Sequence, residues 1–137
     1  KDRLLDKIRN EGVPTLGICM GMQLLTSHSE EGDCDGLGIF NFKTLKFPSS
    51  GPLPHMGWSV AHPNIDSTAH EIARFYFVHS YFVEFSKKYT TLYCEYNGVK
   101  FSAGLKRDNV MVCQFHPEKS HKFGMHYFNE LLSKNYE

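Results

Sequence analysis

A cysteine and a histidine in this chain each lie at the kind of junction where enzymes place reactive groups. Residues 17–21 follow the pattern Gly-x-Cys-x-Gly, with Cys19 between an apolar stretch and a helix-like stretch. In such a turn the flanking glycines let the chain reverse sharply, so that a nucleophile is presented at a helix N-terminus. The amides and the dipole there favour a thiolate, and the N–H of Met20 points to where an oxyanion forms. The pattern favours a nucleophile over the alternative, a buried structural cysteine beside two turn glycines.

His116 and Glu118 provide the base that such a thiol needs. They follow the apolar residues 110–115, and catalytic groups gather at strand ends in α/β sheets. Two positions apart, they lie on the same side of an extended segment that Pro117 stiffens. The carboxylate then fixes the tautomer of the imidazole and stabilises its cation. A His-x-Glu pair is weak on its own, but its position after a second core strand predicts a Cys-His-Glu triad.

The elements around these residues alternate between helix and strand at both ends of the chain, with several successive strands in the middle. The dipeptide 97–98, Asn-Gly, is a strong hairpin signal. This order predicts an α/β fold with a mixed, mostly parallel sheet flanked by helices and an added antiparallel section. The predicted helices cover residues 2–10, 20–26 and 120–134, and the predicted strands cover 13–18, 39–47, 55–61, 75–83 with a break near His79 and Ser80, 90–96, 99–105 and 110–115.

Composition excludes several classes of function. The 137 residues suit one domain, and 15 basic residues balance 15 acidic ones with no basic block, so we expect no nucleic-acid partner. No apolar run is long enough to span a membrane. The four cysteines are irregularly spaced without a Cys-x-x-Cys pair, which favours free thiols in the cytoplasm over a metal or redox site. We therefore expect no cofactor and no metal.

The two motifs, taken together, resemble a known family. Residues 17–25 resemble the nucleophile segment of class I (triad) glutamine amidotransferases, and residues 115–118 resemble their His-Pro-Glu segment. Residues 54–58, 77–81 and 116–120 are similar to the glutaminase subunits of imidazole glycerol phosphate synthases, and the resemblance runs along nearly the whole chain. It implies the flavodoxin-like class I glutamine amidotransferase fold.

The resemblance also implies roles. The chain would hydrolyse L-glutamine to glutamate and ammonia through a cysteine thioester, in histidine biosynthesis. The ammonia would pass to a (β/α)8-barrel cyclase subunit of the HisF type that makes imidazole glycerol phosphate, and Lys119 and residues 54–58 would face that partner. The implied site residues are Cys19, His116 and Glu118 as the triad, Met20 as an oxyanion donor, and Gln23, Glu31, Ser80 and Tyr81 as contacts of the substrate.

Two departures from the family pattern leave alternatives open. Ser59 stands where the family usually has Asn, and a glutaminase serving surface-sugar amidation would share most of these motifs. A γ-glutamyl hydrolase of the same fold would use the same thiol and base. The family also carries an earlier Gly-rich oxyanion strand that is absent here, so we expect residues 1–137 to be an N-terminally truncated glutamine amidotransferase domain. All of these readings require the Cys19 sulfur to lie within bonding reach of the His116 imidazole.

Overall fold

The computed structural model describes residues 1–64 and 73–134, which form three helices, ten strands and one 3₁₀ turn. The helices are α1 (Asp2–Arg9), α2 (Met20–Leu24) and α3 (His121–Lys134), and the 3₁₀ turn is Pro117–Lys119. The strands are β1 (Thr15–Ile18), β2 (His28–Ser29), β3 (Cys34–Asp35), β4 (Lys43–Lys46), β5 (His55–Pro63), β6 (Ala73–His79), β7 (Tyr81–Glu84), β8 (Thr90–Tyr96), β9 (Val99–Arg107) and β10 (Val110–Cys113). Within these described ranges, no helix is both long and apolar enough to cross a membrane.

The strands form one mixed sheet, which confirms the predicted α/β class. Its main path runs β3-β2-β4-β7-β9-β8-β5-β6, and β10 joins β9 to β1. Among the described pairs, β1 with β10 and β2 with β4 are parallel and the others are antiparallel. The antiparallel section is therefore larger than the sequence predicts, because two-residue turns join β8 to β9 and β9 to β10 as hairpins.

Local turn signals are confirmed, whereas three strands, β1, β4 and β10, are shorter than predicted. The hairpin turns at Asn97 and Gly98, both with positive φ (49° and 74°), and the break between β6 and β7 falls at Ser80. The strand predicted over residues 39–47 is confined to β4. Residues 39–42 form a loop instead. In this loop the buried Phe40 donates its backbone N–H to the carbonyl of Leu25, at the end of α2.

Two clusters of buried side chains hold the sheet in place. The larger one is rich in aromatic rings, and the rings of Phe75 and Phe115 stack at 3.8 Å between centroids. The smaller one lies around α1 and α2 and includes Met22 and Val112. Because β1 and β10 border both clusters, the strands that end at the candidate site are anchored on both faces.

Candidate active site

Cys19 occupies a strained turn between β1 and α2. Its backbone has φ 52° and ψ −106°, which lies outside the left-handed region that non-glycine residues adopt in turns, and strained backbones of this kind cluster at functional sites. The turn is crowded, because a Cβ at Gly17 would lie 2.9 Å from the Gly21 carbonyl carbon and oxygen and 2.9 Å from Val112 Cγ1. The first glycine of the predicted pattern is therefore required by packing.

The register of β1 and β10 brings the predicted nucleophile to the base segment. Ile18 lies opposite Cys113 in the parallel pair, and the Cys19 N–H donates to the Cys113 carbonyl at 2.8 Å. The Cys19 Sγ is also 3.9 Å from the Val78 carbonyl oxygen, near the end of β6. The thiol thus lies where three strands end together, as expected for a site in an α/β sheet.

The histidine is fixed through both its backbone and its ring. Its N–H donates to the Tyr76 carbonyl at 2.9 Å, and its own carbonyl accepts from Ser120 Oγ at 2.6 Å. Nδ1 of His116 lies 2.6 Å from Glu118 Oε1. A carboxylate only accepts, so Nδ1 carries the proton and Nε2 keeps the lone pair that a general base needs.

The pKa of the Cys19 thiol is raised above its usual value, although the backbone at the helix terminus lowers it. Burial is the largest influence and raises the pKa of Cys19, while hydrogen bonds from the Met20 backbone and the Gln114 side chain lower it. The nearby charges of Glu31 and Glu118 raise this pKa further. The backbone at the helix terminus thus acts in the predicted direction, but desolvation outweighs it and the net pKa is raised. A base must therefore take the thiol proton; the hydrogen bonds of the described residues do not include one between the Cys19 sulfur and His116, so this contact stays a prediction.

The residues implied as substrate contacts are distributed around the thiol. The charge of Glu31 raises the pKa of the thiol, and the Met20 backbone lowers it. Gln23 is 5% exposed, and its Nε2 faces the Tyr81 carbonyl at 3.5 Å. The carbonyl of Ser80, at the break between β6 and β7, accepts the N–H of a neighbouring loop. Their contact with glutamine stays a prediction.

Sequence reasoning missed three residues that shape the site. Gln114 is fully buried and its Nε2 lies 3.6 Å from the Cys19 sulfur. Ser120 joins the base segment to β6 through its hydroxyl. Gly124 in α3 packs against the Pro117 carbonyl so closely that a Cβ would overlap it. Of these three residues, Gln114 alone could have been found from the sequence, because it is a polar residue within the apolar stretch 110–115.

The sheet, the strained cysteine turn and the His-Glu pair define a class of protein. The family model for class I glutamine amidotransferases matches residues 1–134, and the chain belongs to that family. The fold agrees, because a crystal structure of a glutamine amidotransferase superposes with a TM-score of 0.68 at 14% identity, covering 95% of this chain and 66% of that one. Another, from Thermotoga maritima, superposes with a TM-score of 0.61 at 18% identity, covering 97% of this chain and 54% of the other.

Within the family, the chain is similar to one kind of subunit. It is 47% identical over 131 residues to imidazole glycerol phosphate synthase subunit HisH 2 of Methanococcus maripaludis, covering 90% of this chain. It is 41% identical over 138 residues to the protein of the same name from Pseudomonas aeruginosa, covering 96% of this chain. The chain spans 64% and 68% of the lengths of these two relatives.

Proposed function

We propose that this chain carries the glutamine-hydrolysing centre of a glutaminase subunit of imidazole glycerol phosphate synthase. The observation that carries the proposal is the joining of the strained Cys19 turn to the His116–Glu118 pair through the paired strands β1 and β10. The relatives named HisH support the choice of this subunit within the family.

The proposed reaction begins with proton transfer from the Cys19 thiol to Nε2 of His116. The sulfur then bonds to the side-chain carbonyl carbon of glutamine, and the carbonyl electrons move to oxygen, where the Met20 N–H stabilises the charge. As the oxyanion collapses the C–N bond breaks, and the imidazolium of His116 protonates the departing nitrogen to give ammonia. Water then loses a proton to His116 and attacks the thioester. The C–S bond breaks, His116 returns its proton to the Cys19 sulfur, and glutamate is released.

Two polar groups near the thiol suit the α-amino end of the substrate. The carboxylate of Glu31 complements an ammonium group and is close enough to influence the thiol. Because Nε2 of Gln23 is already engaged within the protein, we propose that its Oε1 faces the substrate ammonium. The backbone and side chains of Ser80 and Tyr81 would border the substrate at the β6–β7 break.

A surface next to the base supports a protein partner. Trp58 is 48% exposed and stacks on His121 with 5.5 Å between ring centroids, and it meets Tyr76 edge-on. The Lys119 ammonium lies 5.8 Å from the Tyr76 ring centre, one residue after Glu118. Exposed aromatic and basic side chains are typical of binding surfaces. We propose that this surface receives a (β/α)8-barrel synthase subunit in the cytoplasm, so that ammonia is released towards the partner.

The test uses the full-length protein, co-expressed and purified with a HisF-type barrel subunit. We expect the two to co-purify, and glutamate production to rise when the phosphoribulosyl-aminoimidazole-carboxamide nucleotide acceptor is present. Cys19→Ala should abolish turnover, whereas Cys34→Ser, which changes an exposed thiol, should retain it. Substantial turnover by the Cys19 variant would refute the nucleophile. Activity on γ-glutamyl peptides without a partner would assign the chain to the hydrolases instead, and stimulation by an amino-sugar acceptor would replace the histidine-pathway partner.

A further inference from the structure

The side chain of Gln114 is directed at the reactive sulfur by a chain of hydrogen bonds whose orientation can be deduced. Nε2 of Gln23 approaches the Tyr81 carbonyl oxygen at 3.5 Å and Oε1 of Gln114 at 3.3 Å. A carbonyl oxygen only accepts, so the Gln23 amide must present its NH₂ group at this point. The Gln114 amide is consequently fixed with its oxygen towards Gln23 and its NH₂ towards Cys19 Sγ, at 3.6 Å.

Gln114 is buried and is held from its backbone as well. Its side chain has no exposed surface, and its N–H donates to the Ala103 carbonyl at 2.8 Å. A buried amide whose donor faces a sulfur cannot be replaced by water without rearrangement of the surrounding strands. Such a fixed dipole stabilises charge on the atom it faces without reorganisation during the reaction.

We propose that Gln114 is a further catalytic residue, whose side-chain N–H donates to the Cys19 sulfur and stabilises its thiolate, and that Gln23 positions it. This inference rests on the proposed role of Cys19 as nucleophile. The donor counteracts the burial and the two neighbouring carboxylates that disfavour negative charge on the sulfur. In this arrangement the buried Gln23 side chain holds the Gln114 amide in addition to its proposed contact with substrate.

The decisive readout is the pH dependence of thiol alkylation, which needs neither substrate nor partner. The full-length protein is treated with iodoacetamide across pH 6–10, and the modified peptides are quantified by mass spectrometry. Cys34 is exposed and serves as the internal reference in the same molecule, while Cys94 and Cys113 are buried. The ratio of modification at Cys19 to that at Cys34 then reports the thiolate at Cys19.

Gln114→Met keeps the volume and removes the donor. We expect the alkylation midpoint of Cys19 to rise by about one pH unit, or about tenfold less thiolate at neutral pH, as when one hydrogen bond to a charged group is lost. Gln114→Glu should raise the alkylation midpoint further, because the substitution adds a negative charge beside the sulfur. Gln23→Met should raise the midpoint less than Gln114→Met, because the Gln114 donor remains but can rotate. In turnover assays kcat should fall in all three variants.

A matched variant separates this role from a structural one. Thr90 is 2% exposed, and its hydroxyl bonds Ser102 at 2.7 Å and the Ser86 N–H at 2.9 Å, so Thr90→Val also removes buried hydrogen bonds. It should lower stability without moving the Cys19 profile. A folded Gln114→Met protein with an unchanged profile would overturn the inference even if glutamine is hydrolysed. If the profile shifts in Gln114→Met but the unsubstituted protein does not hydrolyse glutamine, the donor role is upheld and the proposed function is refuted.

Discussion

Ser120 joins the segment that carries the base to the core of the sheet, and its removal should be costly. The hydroxyl donates to the His116 carbonyl at 2.6 Å and accepts the Tyr76 N–H at 3.0 Å, and the residue is fully buried. In Ser120→Ala the His116 carbonyl keeps a second donor, the Lys119 N–H at 3.0 Å. The Tyr76 N–H has no such substitute and would be left without an acceptor inside the protein.

The expected loss follows from these two contacts. One lost hydrogen bond contributes about 1 kcal/mol, and the Tyr76 donor, which is part-buried, costs about 1 kcal/mol when left unsatisfied, so the free energy of unfolding should fall by roughly 2 kcal/mol. For a chain of this length that corresponds to a decrease in Tm of roughly 6–10 °C. The His116 backbone should also shift, and a displacement of about 1 Å at a catalytic group can reduce kcat by about 10²-fold.

Urea unfolding of the full-length protein, followed by circular dichroism, measures the first effect, and glutamine turnover under fully folded conditions measures the second. Ser133→Ala is the matched control, because the Ser133 hydroxyl is exposed and, among the described residues, bonds within α3 to the Glu130 carbonyl at 3.2 Å. If Ser120→Ala unfolds at the same urea concentration as Ser133→Ala, the hydroxyl does not tie the base segment to β6, and the reasoning is refuted.

Two further predictions concern packing and acid stability. In Gly17→Ala the new methyl group would lie 2.9 Å from Gly21 and Val112, so we expect a loss of about 1–3 kcal/mol in urea unfolding together with slower Cys19 alkylation; unchanged values would show that the turn adapts. Burial lowers the pKa of His55 to about 4 and that of His79 to about 3, so the unfolded chain binds protons that the folded one does not. The contribution of these histidines to stability should therefore be full above pH 6.5 and fall by roughly 1–2 kcal/mol per histidine as the pH is lowered from 6.5 to 5. The fall should be smaller in His55→Gln, and an equal fall in that variant would contradict the assignment.

The parts of the site that depend on neighbouring residues could be predicted from the sequence. The Gly-x-Cys-x-Gly turn and the 116–118 pair are short patterns whose geometry follows from local sterics, and the described structure has both the positive φ of Cys19 and the His116–Glu118 hydrogen bond. The Asn-Gly hairpin is confirmed for the same reason. Local chemistry of this kind is visible wherever the residues are adjacent.

The contacts between distant segments could not be predicted in the same way. Residues 110–115 are all buried, so no alternation of polar and apolar side chains shows which way Gln114 points. The paired imidazoles of His55 and His79, 2.9 Å apart, depend on the register of β5 with β6. The net upward shift in the pKa of Cys19 could not be predicted either, because desolvation depends on tertiary packing, whereas the helix terminus is visible in the sequence.

The register of β1 with β10 links Gly17 to the placement of Cys19 beside Gln114. Gly17 lies opposite Val112 in this pair, and its missing side chain leaves the space that the valine fills. A slip of β1 by one residue would place a side chain opposite the valine and would move Cys19 relative to Gln114, which stays paired with β9. Because both faces of β10 are buried, hydrophobic alternation alone would not prevent that slip. The small residue two positions before Cys19 therefore shapes the turn and also favours the strand pairing that brings the thiol to the Gln114 donor.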